Sequence, residues 1–474
     1  MKLKKLLKDL DVTIKGSKEV EVTGISSHSQ FVSPGSLFVA KKGKTFDGHE
    51  FISKAIETGA VAIVTDCYNP FLQGVTQIIT TDADRLEALL AKRYYSAKSH
   101  SLYLIGITGT NGKTTTAYLI QHLLPTFGLM GTIETIIGKD RFPAQLTTSD
   151  VVTNHKTLYE MGEKGLKGAV MEVTSHALDQ NRVEEIPFDL GIFTNFSQDH
   201  LDYHKTMESY LAAKLKLFAK CKEKIYNLDD PALNALSGGM TFGLHSEADL
   251  VAKNIATTLS GTTFDLHYQN KCVLVKSPLI GDYNVYNVLA AFAAALKKGE
   301  KLHTLIKRLE TFPGIPGRLE RIDNALGIHL FVDFAHTPEA LEKVLATLHH
   351  LKTGKIITVF GCGGERDQDK RPQMGKAVEK YSDTLIITSD NPRSEEPIEI
   401  CNAIKQGVAG PALIEVDRRA AIERALFMAK ENDLVLIAGR GHESHQKIKG
   451  RQIPFDDRVV AQELSQLTEA RKNG

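Results

Sequence analysis

The segment Thr108-Gly-Thr-Asn-Gly-Lys-Thr-Thr115 restricts the fold of this chain more than any other. It follows the apolar run Leu102-Tyr-Leu-Ile-Gly-Ile107 and opens a helical pattern, so it reads as the turn between a buried strand and a helix. In that setting backbone N–H groups and the positive end of the helix dipole face one point and stabilise an anion there. Gly109 and Gly112 let the backbone approach a phosphate closely. Lys113 can reach the β- and γ-phosphates, and Thr114 can ligand Mg2+. The strict form of such a loop has Gly where this chain has Ile107, which makes this a variant of it.

The surrounding pattern is α/β. Residues 1–97 alternate strand-like runs (36–40, 61–65, 77–80) with helical ones (50–58, 84–95), as a small α/β domain would. The lysine-rich stretch Met1 to Leu10 lacks a continuous apolar region and is expected to be an amphipathic surface helix rather than a signal peptide. Further buried-strand runs at Gly168 to Val173 and Asp189 to Asn195 place the loop in a doubly wound sheet. The segment Pro313-Gly-Ile-Pro-Gly-Arg318 is the best linker. Beyond it, runs at Ile328 to Asp333, Ile356 to Phe360, Thr384 to Thr388, Ala412 to Val416 and Leu434 to Ala438 suggest another open sheet. Ligands of such sheets bind beyond the carboxyl ends of the strands.

Composition narrows the classes. Lys plus Arg number 58 against 57 for Asp plus Glu, so no global field argues for nucleic acid or an anionic membrane. Cys67, Cys221, Cys272, Cys362 and Cys401 are scattered and form no CxxC, which fits a reducing cytosol better than a disulfide framework or a zinc site. The apolar run Val288 to Leu296 is too short to cross a bilayer and reads as a buried helix.

Polar residues collect at the expected strand ends. Glu172 could hold Mg2+ near the loop, or be a surface acid. Asn195-Phe-Ser-Gln-Asp-His-Leu-Asp-Tyr-His204 could contact metal or phosphate, or be ordinary loop polarity. Asp333 to Pro338, Gly361 to Asp367, Ser389 to Arg393 and Gly439 to Glu443 end successive strands of the last block. Any one of them alone would be a connecting loop more often than a site.

In this order, and over essentially the whole length, the motifs resemble the Mur ligase family. The resemblance implies three domains. These are a small α/β UDP-substrate domain (1–97), a central P-loop-type mononucleotide-binding ATPase domain (98–322) and a C-terminal Rossmann-like amino-acid domain (323–474). It implies ATP and Mg2+ as cofactors. Gly109, Thr110, Asn111, Gly112, Lys113, Thr114 and Thr115 match the ATP loop, and Asn287, Arg318, Asp333 and His336 the remaining nucleotide contacts. Thr114, Glu172, His200 and Lys214 match metal ligands. Lys214 falls where the family carbamylates a lysine, although sequence physics alone would make it a solvated helical lysine. Lys113, Lys214 and His200 are the expected catalytic residues.

Ser29 looks like the uridine-side contact. Thr147, Thr148, Ser175, Gln180 and Arg182 look like contacts to the muramoyl dipeptide. Arg366, Asp390, Asn391, Pro392, Arg393, Gly439 and Glu443 look like the amino-acid site. The chain departs from the family pattern at His28 and Gln30 around Ser29, at Ser149, at Thr174 and at Phe334.

The reaction implied is ATP-dependent addition of meso-diaminopimelate to UDP-N-acetylmuramoyl-L-alanyl-D-glutamate through an acyl phosphate, in peptidoglycan synthesis. The alternatives are a lysine-adding member of the family and a folylpolyglutamate synthetase-like ligase. Arg393 favours diaminopimelate, whose second carboxylate a guanidinium binds bidentately. It could instead cap a loop or pair with Glu395 or Glu396. A cytoplasmic monomer is expected, with no nucleic-acid partner and no membrane insertion.

Overall fold

The computed structural model describes residues 1–42, 47–99 and 102–473. They fall into two compact units. One comprises Met1–Val251, His267–Asn270 and Tyr286–Leu305, and the other Ala252–Leu266, Lys271–Val285 and Ile306–Gly474.

The first unit contains two sheets. The smaller runs in the order Thr13–Lys15, Thr76–Ile79, Ala62–Thr65, Ser36–Val39 and Gly24–Ser26, with the first strand antiparallel and the others parallel. Ser36–Val39 and Ala62–Thr65 are buried throughout, as parallel strands covered on both faces must be. Helix Ala83–Ser99 packs Leu86, Leu90, Ala91 and Tyr95 into this core. The N-terminus differs from expectation. Only Leu3–Leu6 is helical, and Leu3 and Leu6 are wholly buried. Leu3 and Lys4 donate their N–H groups to Val20 and Lys18 carbonyls at 2.9 Å each, which holds a single turn that could not persist alone.

The larger sheet places its parallel strands in the order Met240–Gly243, Cys221–Asn227, Phe188–Phe193, Tyr103–Thr108, Gly168–Glu172 and Phe127–Met130. The antiparallel strands Glu134–Ile137 and Asp140–Pro143 extend it. Ile107 pairs with Glu172 and Thr108 with Phe193, so three strands end level with one another. The turns after Thr108, Glu172 and Phe193 therefore open on one edge. Helix Asp282–Lys297 buries Val288 through Ala295, as its apolar run implied.

The second unit has a sheet ordered Glu320–Ile322, His329–Asp333, Leu434–Ala438, Ile356–Phe360, Thr384–Ile387 and Leu413–Ile414, parallel except for its first strand. Separate apolar cores cover its two faces. Leu434–Ala438 comes late in the chain yet lies between the first two parallel strands, so the turns after Asp333, Phe360 and Ala438 leave neighbouring strand ends. A fully buried ion pair joins Arg418 Nε and Nη2 to the Asp457 carboxylate at 2.7 Å each, and Arg418 Nη2 also donates to Ala438 O at 2.9 Å, at the end of the central strand. No helix or strand forms over 313–318, the expected linker. Among the described residues no helix is long and apolar enough to cross a membrane.

Candidate active site

Strand Tyr103–Thr108 and helix Lys113–Leu123 flank the expected loop. Gly109 (φ 141°) and Gly112 (φ 84°) are in backbone conformations that L side chains rarely adopt. A Cβ on Gly109 would lie 1.9 Å from Thr194 Oγ1, and one on Gly112 2.3 Å from Asn287 Oδ1. The loop is laced to the segment after Phe193. Thr110 N donates to Asn195 O (2.8 Å), Asn111 N to Asn195 Oδ1 (2.9 Å), and Thr194 Oγ1 to Asn111 O (2.6 Å). Thr115 and Thr116 are buried, and Thr116 Oγ1 donates to Asn287 Oδ1 at 3.3 Å. Lys113 folds back, its Nζ donating to Gly109 O (3.0 Å) and Thr110 O (2.9 Å).

Glu172 is fully buried at the end of its strand, so the surface-acid alternative fails. Its Oε2 accepts from Thr114 Oγ1 and Thr132 Oγ1 at 2.9 Å each, and its Oε1 from Thr132 N at 2.8 Å. A carboxylate and a threonine hydroxyl thus meet at the first turn of the loop helix. Such oxygen donors suit a hard cation, and Mg2+ typically takes only one or two protein carboxylates, with phosphate and water completing its shell. Among the described residues no group of three or more His, Cys, Asp or Glu side chains converges as a self-sufficient metal cage.

Lys214 is the main departure from what residue type alone suggests. On helix Met207–Ala219 it shares a face with Tyr210, Ala213, Leu217 and Phe218 and is 1% exposed. Its Nζ donates to Gly109 O at 2.7 Å and lies 4.6 Å from the Tyr210 ring centroid. Burial first, and the Lys113 ammonium second, push its pKa well below the ordinary lysine value. Two lysines therefore bond to one carbonyl oxygen, an arrangement that disfavours charge on both. His200, in a left-handed conformation (φ 52°), places its Nε2 3.4 Å from Asp199 Oδ2 and its ring edge-on to His176, with centroids 4.8 Å apart.

The expected dipeptide contacts surround this centre. Thr147 Oγ1 lies 3.1 Å from Thr132 Oγ1, and Thr148 Oγ1 donates to Glu172 O at 2.8 Å. Ser175 Oγ lies 3.0 Å from His204 Nε2. Gln180 Oε1 accepts from Arg182 Nε and Nη2, at 3.0 and 2.6 Å. Ser29 stands apart from them, half-buried in the turn Ser29–Phe31 beside the smaller sheet. Thr132, Thr194 and Tyr210 were not singled out from the sequence. Thr132 falls in no motif, whereas Tyr210 lies at helical spacing on the apolar face that carries Lys214, a signal that would have found it.

In the second unit, Asp333 is buried, accepting from Ala335 N (2.7 Å) and Leu319 N (2.5 Å), and burial raises its pKa. The Arg318 guanidinium lies over the Phe334 ring at 4.6 Å, and His442 packs on the same ring at 5.2 Å. His336 Nδ1 is 2.8 Å from Phe334 O.

The other expected residues of this unit gather on neighbouring turns. Asn391 Nδ2 donates to Glu443 Oε2 at 2.7 Å, and burial raises the Glu443 pKa against that bond. Gly439 (φ 116°) leaves room for Asp390, whose Oδ2 would be 2.6 Å from a Cβ there. Arg393, next to Pro392 and also left-handed (φ 54°), donates from Nη1 to Gly364 O at 2.5 Å, and Arg366 is exposed on the facing loop. Neither expected acidic neighbour takes Arg393. Glu395 bonds to Arg371 and Glu396 pairs with Lys449.

The first unit carries a variant phosphate loop with a buried carboxylate facing its threonine, and the second an α/β sheet with polar strand ends; together these features define a nucleotide-binding α/β protein. The chain belongs to the Mur ligase family. A Mur ligase middle domain matches residues 107–295, a Mur ligase glutamate ligase domain 317–441, and a Mur ligase family catalytic domain 21–95. It is 42% identical over 483 residues to the UDP-N-acetylmuramoyl-L-alanyl-D-glutamate--2,6-diaminopimelate ligase of Bacillus cereus, with 98% of each chain covered. It is 45% identical over 454 residues to the enzyme of that name from Aquifex aeolicus, covering 94% of this chain and 93% of that one. A solved structure of a UDP-N-acetylmuramoyl-L-alanyl-D-glutamate--2,6-diaminopimelate ligase superposes with a TM-score of 0.72 at 31% identity, over 99% of both chains.

Proposed function

We infer that this protein is an ATP-dependent ligase that joins meso-diaminopimelate to UDP-N-acetylmuramoyl-L-alanyl-D-glutamate. The observation that carries the reading is whole-length similarity to enzymes named for that reaction. The convergence of Lys113, Lys214, Thr114 and Glu172 on one loop supports it.

A carboxylate is a poor electrophile. Transfer of the γ-phosphoryl group of ATP to it gives an acyl phosphate, and attack by the amine then expels phosphate and forms the amide. The protein's part is positioning and charge stabilisation. The loop N–H groups and Lys113, released from the Gly109 and Thr110 carbonyls, receive the phosphates, while Asn287, Arg318, Asp333 and His336 are assigned the rest of the nucleotide. Burial and the nearby Lys113 charge disfavour the ammonium form of Lys214, whose free amine can add carbon dioxide with loss of a proton to form a carbamate. Thr114, Glu172, His200 and that carbamate would hold Mg2+, which when bound neutralises phosphate charge. Thr147, Thr148, Ser175, Gln180 and Arg182 orient the dipeptide, and Ser29 takes the uridine side. Arg366, Asp390, Asn391, Pro392, Arg393, Gly439 and Glu443 form the amino-acid site. We assign residues 1–97, 98–322 and 323–474 to the UDP-substrate, ATPase and amino-acid domains of a cytoplasmic monomer.

ADP release, followed with each substrate omitted in turn, tests this. Release that requires both the muramoyl dipeptide and the amino acid supports the ligase. Release indifferent to both contradicts it, and release driven by a folate substrate would favour a folylpolyglutamate-type ligase.

A further inference from the structure

Arg393 lies two residues from Glu395, and an arginine so placed would ordinarily be neutralised by its neighbour. The structure shows why it is not. Arg371, on helix Lys370–Glu379, is 4% exposed and turns its Nη2 onto both Glu395 oxygens, at 3.0 and 2.9 Å. Glu365 N donates to Glu395 Oε1 at 2.5 Å, occupying the carboxylate from a second side. Both side chains lie against Gly364. Its carbonyl accepts from Arg393 Nη1, and a Cβ on it would stand 3.3 Å from Glu395 Oε1 and 2.1 Å from Pro392 O. Glu395 is thus beside Arg393 but already paired.

We propose that Arg371 is a specificity-determining positioning residue that sequesters Glu395, keeping the Arg393 guanidinium available to the distal carboxylate of the amino-acid substrate. Arg371 touches no substrate in this arrangement and acts through Glu395. Removing it leaves a partly buried carboxylate without its cation, and Arg393 is the nearby cation able to compensate. The freed Glu395 would then compete with a substrate carboxylate and favour an amino acid whose distal end is an ammonium alone. The inference rests on reading Arg393 as the distal-carboxylate contact.

The test is the ratio of kcat/KM for meso-diaminopimelate to that for L-lysine in wild type, Arg371→Met, Glu395→Gln and the double variant. Arg371→Met should lower the ratio on the order of 10-fold or more, mainly through the KM for diaminopimelate, with the KM for ATP unchanged. Glu395→Gln should leave the ratio near wild type, since no competing charge remains. The double variant should restore what Arg371→Met lost. A merely structural ion pair predicts the reverse, with the double variant at least as impaired as either single one. An unchanged ratio in Arg371→Met, a raised diaminopimelate KM in Glu395→Gln, or no rescue in the double variant overturns the proposal. If Arg371→Met does not fold, Glu395→Gln and the double variant still decide it. A wild type without preference for diaminopimelate would remove the functional reading itself.

Discussion

Replacing Gly109 with alanine tests the phosphate loop at its tightest point. The new Cβ would lie 1.9 Å from Thr194 Oγ1, with Asn195 O and N at 3.1 and 3.2 Å, and φ stays at 141°. Holding a non-glycine residue in such a sparsely populated conformation costs ~1–3 kcal/mol. Thr194 is 3% exposed and cannot retreat into solvent. To make room it must give up its bond to Asn111 O, at 2.6 Å, a loss of about 1 kcal/mol. Together these disfavour the observed loop by ~2–4 kcal/mol, which weakens ADP binding roughly 30- to 1000-fold if this loop conformation is the binding one. Calorimetric titration with ADP reads the effect directly, and affinity for the muramoyl dipeptide serves as the control. Thr194→Ala in the Gly109→Ala background removes the contact but also the hydroxyl that bonds Asn111 O, so ADP affinity should stay about as low as in Gly109→Ala alone. An ADP Kd for Gly109→Ala within about 3-fold of wild type would refute the loop assignment.

Other outcomes follow from the same geometry. Lys113→Ala should nearly abolish ligation, and near-normal turnover would show that it is not the phosphate lysine. Lys214→Ala should be nearly inactive and partly rescued by acetate, whereas full activity without rescue would return Lys214 to a packing role. Arg393→Ala should erase the preference for diaminopimelate over lysine, and a preserved preference would reassign Arg393 to capping the Gly364 carbonyl. His155, 4% exposed, has its pKa lowered by burial from 6.5 to about 4. The folded state therefore binds this proton less readily than the unfolded one. The stabilisation is full above pH 6.5 and is lost as pH falls toward 4, by up to ~3 kcal/mol. His155→Gln should flatten that part of the stability profile, and an unchanged slope would contradict the assignment.

Much of this arrangement was legible in the sequence because local chemistry and fold agree there. The loop is set by glycines at φ 141° and 84° between a continuous apolar strand and a helix, a pattern few other structures accept. The polar turns of the second unit were legible for the same reason, since buried parallel strands stand out and their ends must be loops. The N-terminal segment was misjudged because its leucines find partners in residues distant along the chain, which no local pattern reports. Lys214 was placed at the site by the family resemblance and not by its residue type. Its charge suggested solvent, but its spacing from Tyr210, Ala213, Leu217 and Phe218 puts it on the buried face. Thr132 and Arg371 were invisible because their roles depend on Glu172 and Glu395, 40 and 24 residues away.

The reaction assigned to this enzyme is the ATP-driven attachment of meso-diaminopimelate to UDP-N-acetylmuramoyl-L-alanyl-D-glutamate. The most direct measurement is a competition in which the wild-type protein, ATP, Mg2+ and the muramoyl dipeptide are incubated with equal amounts of meso-diaminopimelate and L-lysine. The products are then resolved by mass spectrometry. The diaminopimelate tripeptide is expected as the dominant product, formed together with ADP. A dominant lysine tripeptide, or ADP without any tripeptide, would contradict it.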